Sequence, residues 1–287
     1  MTWRILELFS GLGAWRWAAV GHGEVVAAYD ISPQANRVYA LTHAESPIAR
    51  ELATVPAEAL DSHRADTWLL SPPCQPYCRM GLKRDLADRR SRAFVNLLSM
   101  LGREPMQRLA LENVEGFAGS DAHTMLLERF RQQGFQHREF RLCPTQFGIP
   151  NQRPRLFLVA SRDPLKAIEP PSLPPGPIGE FLDRDEDPRL YLSADDLSRH
   201  GPGLDLVTAD SRRTGCFIGG YGRRFVGSGS FLRTERGVRR FSPAEIARLL
   251  QFPEPLKVPA GLPLEVHYKL LGNALNVTVA RWVLGAI

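Results

Sequence analysis

From residue 3 to residue 160 the chain alternates short apolar runs with stretches of helical period, and that alternation restricts it to few architectures. Residues 3–9, 24–29, 67–71, 108–111, 137–142 and 155–160 read as strands. Residues 14–20, 33–44 and 122–133 read as helices, as does the Phe94, Leu97, Leu98, Leu101 stripe. Pro33 suits a first helical turn and Gly134 a helix stop. Strand followed by helix, repeated, predicts an α/β fold with a mostly parallel sheet covered on both faces. A chain of 287 residues has room for one such domain and a smaller one.

In an open α/β sheet, ligands bind at the carboxyl ends of the strands. Here those ends carry chemistry. The first strand runs into Phe9-Ser10-Gly11-Leu12-Gly13 and then a helix, an arrangement that sets backbone amides against a cofactor. Asp30, 17 residues after Gly13, ends the second strand, where an acid can accept from ribose hydroxyls. The turn has two closely spaced glycines and no basic phosphate clamp. An adenosine cofactor without a pyrophosphate fits it better than a dinucleotide. The third strand feeds Ser71-Pro72-Pro73-Cys74-Gln75. Two prolines stop the ladder and stiffen the turn that presents Cys74. Glu112-Asn113-Val114 ends the fourth strand, and Asn151-Gln152-Arg153-Pro154-Arg155 leads into the last. Each residue has a plainer alternative. Cys74 is equally a buried inert thiol, Phe9 plain core, and Asp30 a cap for the helix at Pro33. Glu112 is equally a solvated strand end, and the two arginines partners of structural acids.

The organisation changes after residue 160. Residues 163–177 hold six prolines and read as a stiff linker. Four regions are therefore expected: a catalytic, cofactor-binding domain over 1–163, a proline-rich linker over 164–177, a small irregular domain over 178–240, and a segment over 241–287 that packs back onto the first domain. Ser242, Pro243 and Glu245 form a capping box that opens a helix. Net charge is only +5, but residues 212–240 contain eight arginines and one glutamate. That is +7, so the remainder sums to −2. Such clustering fits a polyanion better than general solubility, although arginine is common throughout, 32 against 4 lysines. The four cysteines form no CxxC pair and no zinc-type cluster, so neither a metal nor a disulfide framework is expected. No run is long enough to cross a bilayer, and the first residues are too short and charged for a signal peptide. A cytoplasmic monomer without membrane attachment is the expectation.

Taken together, Glu7-Leu8-Phe9-Ser10-Gly11-Leu12-Gly13, Ser71-Pro72-Pro73-Cys74-Gln75, Glu112-Asn113-Val114, Asn151-Gln152-Arg153-Pro154-Arg155 and Leu271-Gly272-Asn273-Ala274-Leu275-Asn276-Val277 resemble the cytosine-5 methyltransferase family. Within it the small tRNA aspartate branch is the nearest. The second domain is short, Asn151 stands where the DNA enzymes usually have Gln, and Cys216-Phe217-Ile218-Gly219-Gly220-Tyr221-Gly222 resembles that branch's signature. Ile218 and Cys78 replace threonines of the family pattern, and Ala14 replaces a glycine.

The resemblance implies a Rossmann-like S-adenosylmethionine-dependent methyltransferase sheet with a target-recognition domain. Cys74 would add to C6 of a cytosine and make C5 nucleophilic. Glu112 would act as the acid at N3, and Arg153 and Arg155 would meet the base O2 and phosphate. Phe9, Ser10, Gly11, Leu12, Gly13, Ala14, Asp30, Ile31, Val55 and Ser71 would line the cofactor, joined by Asn273 and Ala274. A mobile loop carrying Arg79, Lys83, Arg84 and Arg89 would close over the base. Arg212, Arg213, Cys216, Phe217, Tyr221, Arg223 and Arg224 would hold the nucleic acid. The substrate implied is tRNA, at position 38 of the aspartate or glutamate isoacceptor. DNA is the alternative substrate, and a non-catalytic RNA-binding protein the rival of another class.

Overall fold

The structure, a computed structural model, describes residues 2–75, 77, 85–185 and 187–287. It divides into two compact units. The first comprises residues 1–142, Pro154–Glu169 and Ala280–Ile287, and the second Cys143–Arg153 and Pro170–Val279.

The first unit is built on β1 (Trp3–Leu8), α1 (Ala14–Ala18), β2 (Gly23–Tyr29), α2 (Pro33–His43), α3 (Ala57–Asp61), β3 (Thr67–Leu70), α4 (Arg92–Met100), β4 (Arg108–Asn113), α5 (Asp121–Gln132), β5 (Gln136–Leu142) and β6 (Arg155–Ser161). Its sheet runs β2-β1-β3-β4-β6-β5. The four strands from β2 to β4 are parallel, whereas β6 lies antiparallel between β4 and β5. The mostly parallel expectation holds for those four. Parallel pairing ends at β4, because β5 reaches β6 without a crossover helix, and only antiparallel neighbours can be joined that way.

Alternation along the strands sends side chains to opposite faces. Leu6, Leu8, Trp68, Leu70, Leu109 and Leu111 share a buried core with Phe94, Leu97 and Leu98 of α4 and Leu126 and Phe130 of α5. On the other face, Trp15 of α1 meets Phe157 edge-on at 6.3 Å. Local signals explain the helix ends. Ser32 caps α2 by accepting from the Ala35 amide, Ser120 caps α5 from His123, and Gly134 follows α5 at φ 72°. One short helix, α3, of five residues, is too short to show a helical period in the sequence.

The second unit contains α6 (Ala194–His200), β7 (Asp205–Val207), β8 (Ser230–Thr234), β9 (Gly237–Arg240), α7 (Pro243–Leu249) and α8 (Leu264–Asn273), and α9 (Val277–Leu284) follows. A β7-β8-β9 sheet replaces the irregular structure expected there. Three strands of three to five residues are too short to show a period. The expected boundaries also shift. Residues 143–153 join the second unit, and so does most of the chain beyond 241, leaving only Ala280–Ile287 with the first. Trp282 of that last stretch packs on Phe140 at 5.2 Å. Hydrogen bonds draw 143–153 across: Asn151 is bridged to Thr214, and the Gln152 amide donates to the Thr214 carbonyl at 2.8 Å.

Candidate active site

β3 ends at Leu70, whose register partner on β4 is Leu111, so the cysteine turn begins beside Glu112. Asn113 makes the link. Its side-chain amide is buried and donates to the Pro72 carbonyl at 3.2 Å, while its oxygen accepts from the Val114 amide at 2.8 Å. The Tyr77 amide donates to the Cys74 carbonyl at 3.0 Å and closes the turn. The Tyr77 ring is buried edge-on against Phe117 at 5.0 Å. Gly116 permits this approach, since a Cβ there would stand 2.4 Å from the Tyr77 carbonyl oxygen. Cys74 itself is partly exposed and is not in a disulfide, and neither are Cys143 and Cys216. Cys74 is therefore not a buried thiol.

Glu112 is 7 % exposed, which excludes the solvated strand end. It forms an ion pair with Arg155, Nε to Oε1 at 3.1 Å. The pair follows from register: Asn113 lies opposite Leu156, so Arg155 begins β6 beside the end of β4. Arg153 departs from the sequence expectation. It belongs to the second unit and is 3 % exposed. Its guanidinium donates to the carbonyls of Phe217 at 3.0 Å, Gly272 at 2.9 Å and Ala274 at 2.6 Å. An arginine committed to three backbone carbonyls holds segments together and does not meet a base.

The glycine turn is more contorted than its sequence reveals. Phe9 leaves β1 at φ 57°, Gly11 stands at 53° and Gly13 at 77°. A left-handed Phe is strained, and such strain gathers at functional turns. Gly11 faces open space, its amide donating to Asp30 Oδ2 at 2.9 Å. Asp30 Oδ1 accepts from the Ser32 amide at 2.8 Å. Asp30 thus ties two turns together, while Ser32 does the capping. Burial raises the Asp30 carboxyl above its usual range, against the backbone hydrogen bonds that lower it. Ser10 Oγ is buried with no hydrogen-bond partner among the described residues. Ile31 is 59 % exposed, whereas Val55 is packed in the core and Ser71 Oγ accepts from Trp15 Nε1 at 3.0 Å. Leu12 and Ala14 are buried, and Asn273 and Ala274 lie in the second unit.

Beneath the turn sits a residue with no role in the sequence reading. Glu7 is completely buried in β1, where it accepts from the Tyr39 hydroxyl at 2.8 Å and the Arg16 amide at 3.1 Å. Burial pushes its carboxyl up to about 7, in spite of hydrogen bonds that lower it. Its available signal was a carboxylate set between Leu6 and Leu8 in an apolar strand.

The arginine-rich region divides on inspection. Arg239 is 2 % exposed and bidentate to Glu245, at 2.8 and 2.7 Å. Arg213 pairs with Asp205 at 2.8 Å, Arg212 donates to the Pro175 carbonyl at 2.8 Å, and Arg240 sits 4.6 Å from the Phe225 ring centre. Arg223, Arg224 and Arg233 are exposed. Phe217 and Tyr221, expected to touch nucleic acid, are core instead: their rings pack edge-on at 5.0 Å, and the Tyr221 hydroxyl donates to the Ser230 carbonyl at 2.7 Å. Cys216 lies beside Arg153, Sγ to Nη1 at 3.3 Å. Arg89 is exposed in a short turn before α4, whereas Arg79, Lys83 and Arg84, together with Cys78, lie outside the described residues. Among the described residues no cluster of three His, Cys, Asp or Glu is placed to hold a metal, and no helix is long and apolar enough to cross a membrane.

A parallel-rich sheet with a glycine turn after its first strand and a thiol turn after its third defines an α/β protein of the S-adenosylmethionine-dependent methyltransferase type. The chain belongs to the C-5 cytosine-specific DNA methylase family, whose model matches residues 3–185. It is 32 % identical to the tRNA (cytosine(38)-C(5))-methyltransferase of Schizosaccharomyces pombe, over 99 % of this chain and 96 % of that one. It is 29 % identical to a DNA (cytosine-5)-methyltransferase of Dictyostelium discoideum, over 98 % of this chain and 93 % of that one. The crystal structure of the S. pombe Dnmt2 methyltransferase superposes with a TM-score of 0.88 at 30 % identity, covering 99 % and 97 % of the two chains.

Proposed function

We propose that this chain transfers a methyl group to C5 of a cytosine in tRNA, at position 38 of the anticodon loop of the aspartate or glutamate isoacceptor. The observation that carries the chemistry is the tether between the two reactive strand ends: Asn113 holds the Cys74 turn to the strand that bears the Glu112–Arg155 pair. The tRNA assignment draws on the near full-length similarity to the S. pombe enzyme.

Cytosine C5 is a poor nucleophile. The Cys74 thiolate forms a bond to C6, and the electron pair displaced onto the ring makes C5 nucleophilic. Glu112 acts as the acid that gives a proton to N3, where that charge collects, and takes it back when the adduct breaks, while Arg155 donates to O2. A guanidinium brought near the thiol would favour thiolate over thiol, and Arg155 is the candidate. After methylation the C5 proton leaves to a base and the Cys74–C6 bond breaks, which regenerates the thiolate. A target base in a loop is unstacked at lower cost than one in a duplex.

S-adenosylmethionine, when bound, supplies the methyl group. The first-strand turn supports that cofactor: Gly11 borders open space, Ser10 Oγ has hydrogen-bonding capacity unused, and Ile31 offers an apolar surface beside Asp30. We assign Phe9–Gly13 and Asp30 to hold it. We assign the exposed Arg223 and Arg224 to the RNA backbone.

DNA is the second reading, favoured by the Dictyostelium relative. Methyl transfer to total tRNA and to genomic DNA, run in parallel with mapping of the labelled cytosine, separates the two. Label at cytosine 38 is the expected result, and label confined to DNA overturns the substrate.

A further inference from the structure

The Phe9–Gly13 turn lacks the device that normally fixes the start of the following helix. The N-cap of α1 is Gly13, which has no side chain to accept from the first-turn amides. It cannot acquire one either. At φ 77° a side chain is strained, and a Cβ would stand 2.3 Å from His43 Nε2 and 2.9 Å from the Tyr39 ring. The missing acceptor comes from the strand before the turn, where Glu7 Oε1 takes the Arg16 amide at 3.1 Å and Oε2 takes the Tyr39 hydroxyl at 2.8 Å. Arg16 continues the network to Tyr39 at 3.3 Å and to Glu45 at 2.7 and 2.6 Å. His43 packs at a tilt against Tyr39, 4.5 Å between ring centres, and reaches the Leu12 carbonyl at 3.3 Å. The turn is thus pinned from below at both ends, at Glu7 before it and at α1 after it, while its upper side is open at Gly11.

We propose that Glu7 is a positioning residue for the cofactor: by capping α1 from within β1 it sets the path of the Phe9–Gly13 backbone, and so the affinity of the turn for S-adenosylmethionine. The proposal rests on the methyltransferase reading above. Glu7 is wholly buried and acts through the turn rather than on the reacting atoms. Glutamine preserves the shape and one acceptor oxygen, enough to keep the Arg16 cap, whereas alanine removes the cap and leaves the Tyr39 hydroxyl without its acceptor.

The test is calorimetric binding of S-adenosylhomocysteine to the full chain. Loss of a cap predicts about tenfold weaker binding for Glu7→Ala, and Glu7→Gln is expected within about threefold of the unmodified protein. At saturating cofactor the tRNA affinity and kcat of Glu7→Ala should stay near those of the unmodified protein, so the defect appears in the KM for cofactor alone. Unaltered binding by Glu7→Ala overturns the proposal, and so does an equal loss of tRNA affinity. Should Glu7→Ala fail to fold by circular dichroism, Tyr39→Phe decides. It removes one of the two Glu7 bonds and must weaken binding by about threefold, and no change overturns the proposal. Failure of the unmodified protein to bind would overturn the methyltransferase reading with it. Normal binding there and in every variant counts against Glu7 alone.

Discussion

Cys74 and Glu7 are both reactive-looking residues at a strand, with opposite fates. Cys74 stands beyond the last ladder bond, partly exposed, on a turn whose carbonyls are held by Asn113 and Tyr77. Cys74→Ala should therefore abolish methyl transfer while S-adenosylhomocysteine binding, measured by calorimetry, stays within about twofold. Full activity in that variant would remove the thiol from the mechanism. Glu7 lies inside the ladder and is titrated by burial. Its carboxyl is raised from 4.5 to about 7, so between those values the folded chain keeps a proton that the unfolded chain has lost. Stability falls as pH rises across that window and levels off above it. The total is on the order of 3 kcal/mol. Glu7→Gln should flatten much of this slope in urea titrations run from pH 4.5 to 7.5. Asp30, shifted the same way, acts in the same direction.

Among the elements, the strands of the first unit, the stop of α5 at Gly134 and the capping box of α7 were readable because each depends on neighbours in sequence. At α7, Ser242 Oγ accepts from the Glu245 amide at 3.1 Å and the Ser242 amide donates to Glu245 at 2.7 Å, as the capping box required. What sequence did not disclose is that the same carboxylate also holds Arg239 of β9, with both side chains buried. Removing one member strands a buried charge. Arg239→Ala should cost about 3–5 kcal/mol of stability in chemical denaturation, whereas replacing both Arg239 and Glu245 with apolar residues should cost less than the single change. A single change that costs under about 1 kcal/mol would show that solvent reaches the pair.

For the whole molecule, the arginine cluster reads as one feature in sequence and as several in space. Of the arginines named for nucleic acid, Arg212 and Arg213 are exposed but engaged with the Pro175 carbonyl and Asp205, whereas Arg223 and Arg224 are exposed neighbours that carry the prediction. Arg223→Glu with Arg224→Glu should weaken tRNA binding and reduce the slope of log affinity against log salt by about 1–2, read by anisotropy at several salt concentrations. An unchanged slope removes these two from the interface. The primary sequence determined the strand–helix alternation, the capping box of α7 and the two turns, because those rest on local chain geometry and on residue types at short spacing. Tertiary structure alone decided that β6 inserts antiparallel between β4 and β5, that Arg155 faces Glu112 while Arg153 is taken by backbone carbonyls, and that Phe217 and Tyr221 are core. Each of those outcomes depends on which distant carbonyl or ring is brought alongside, and no local pattern encodes that.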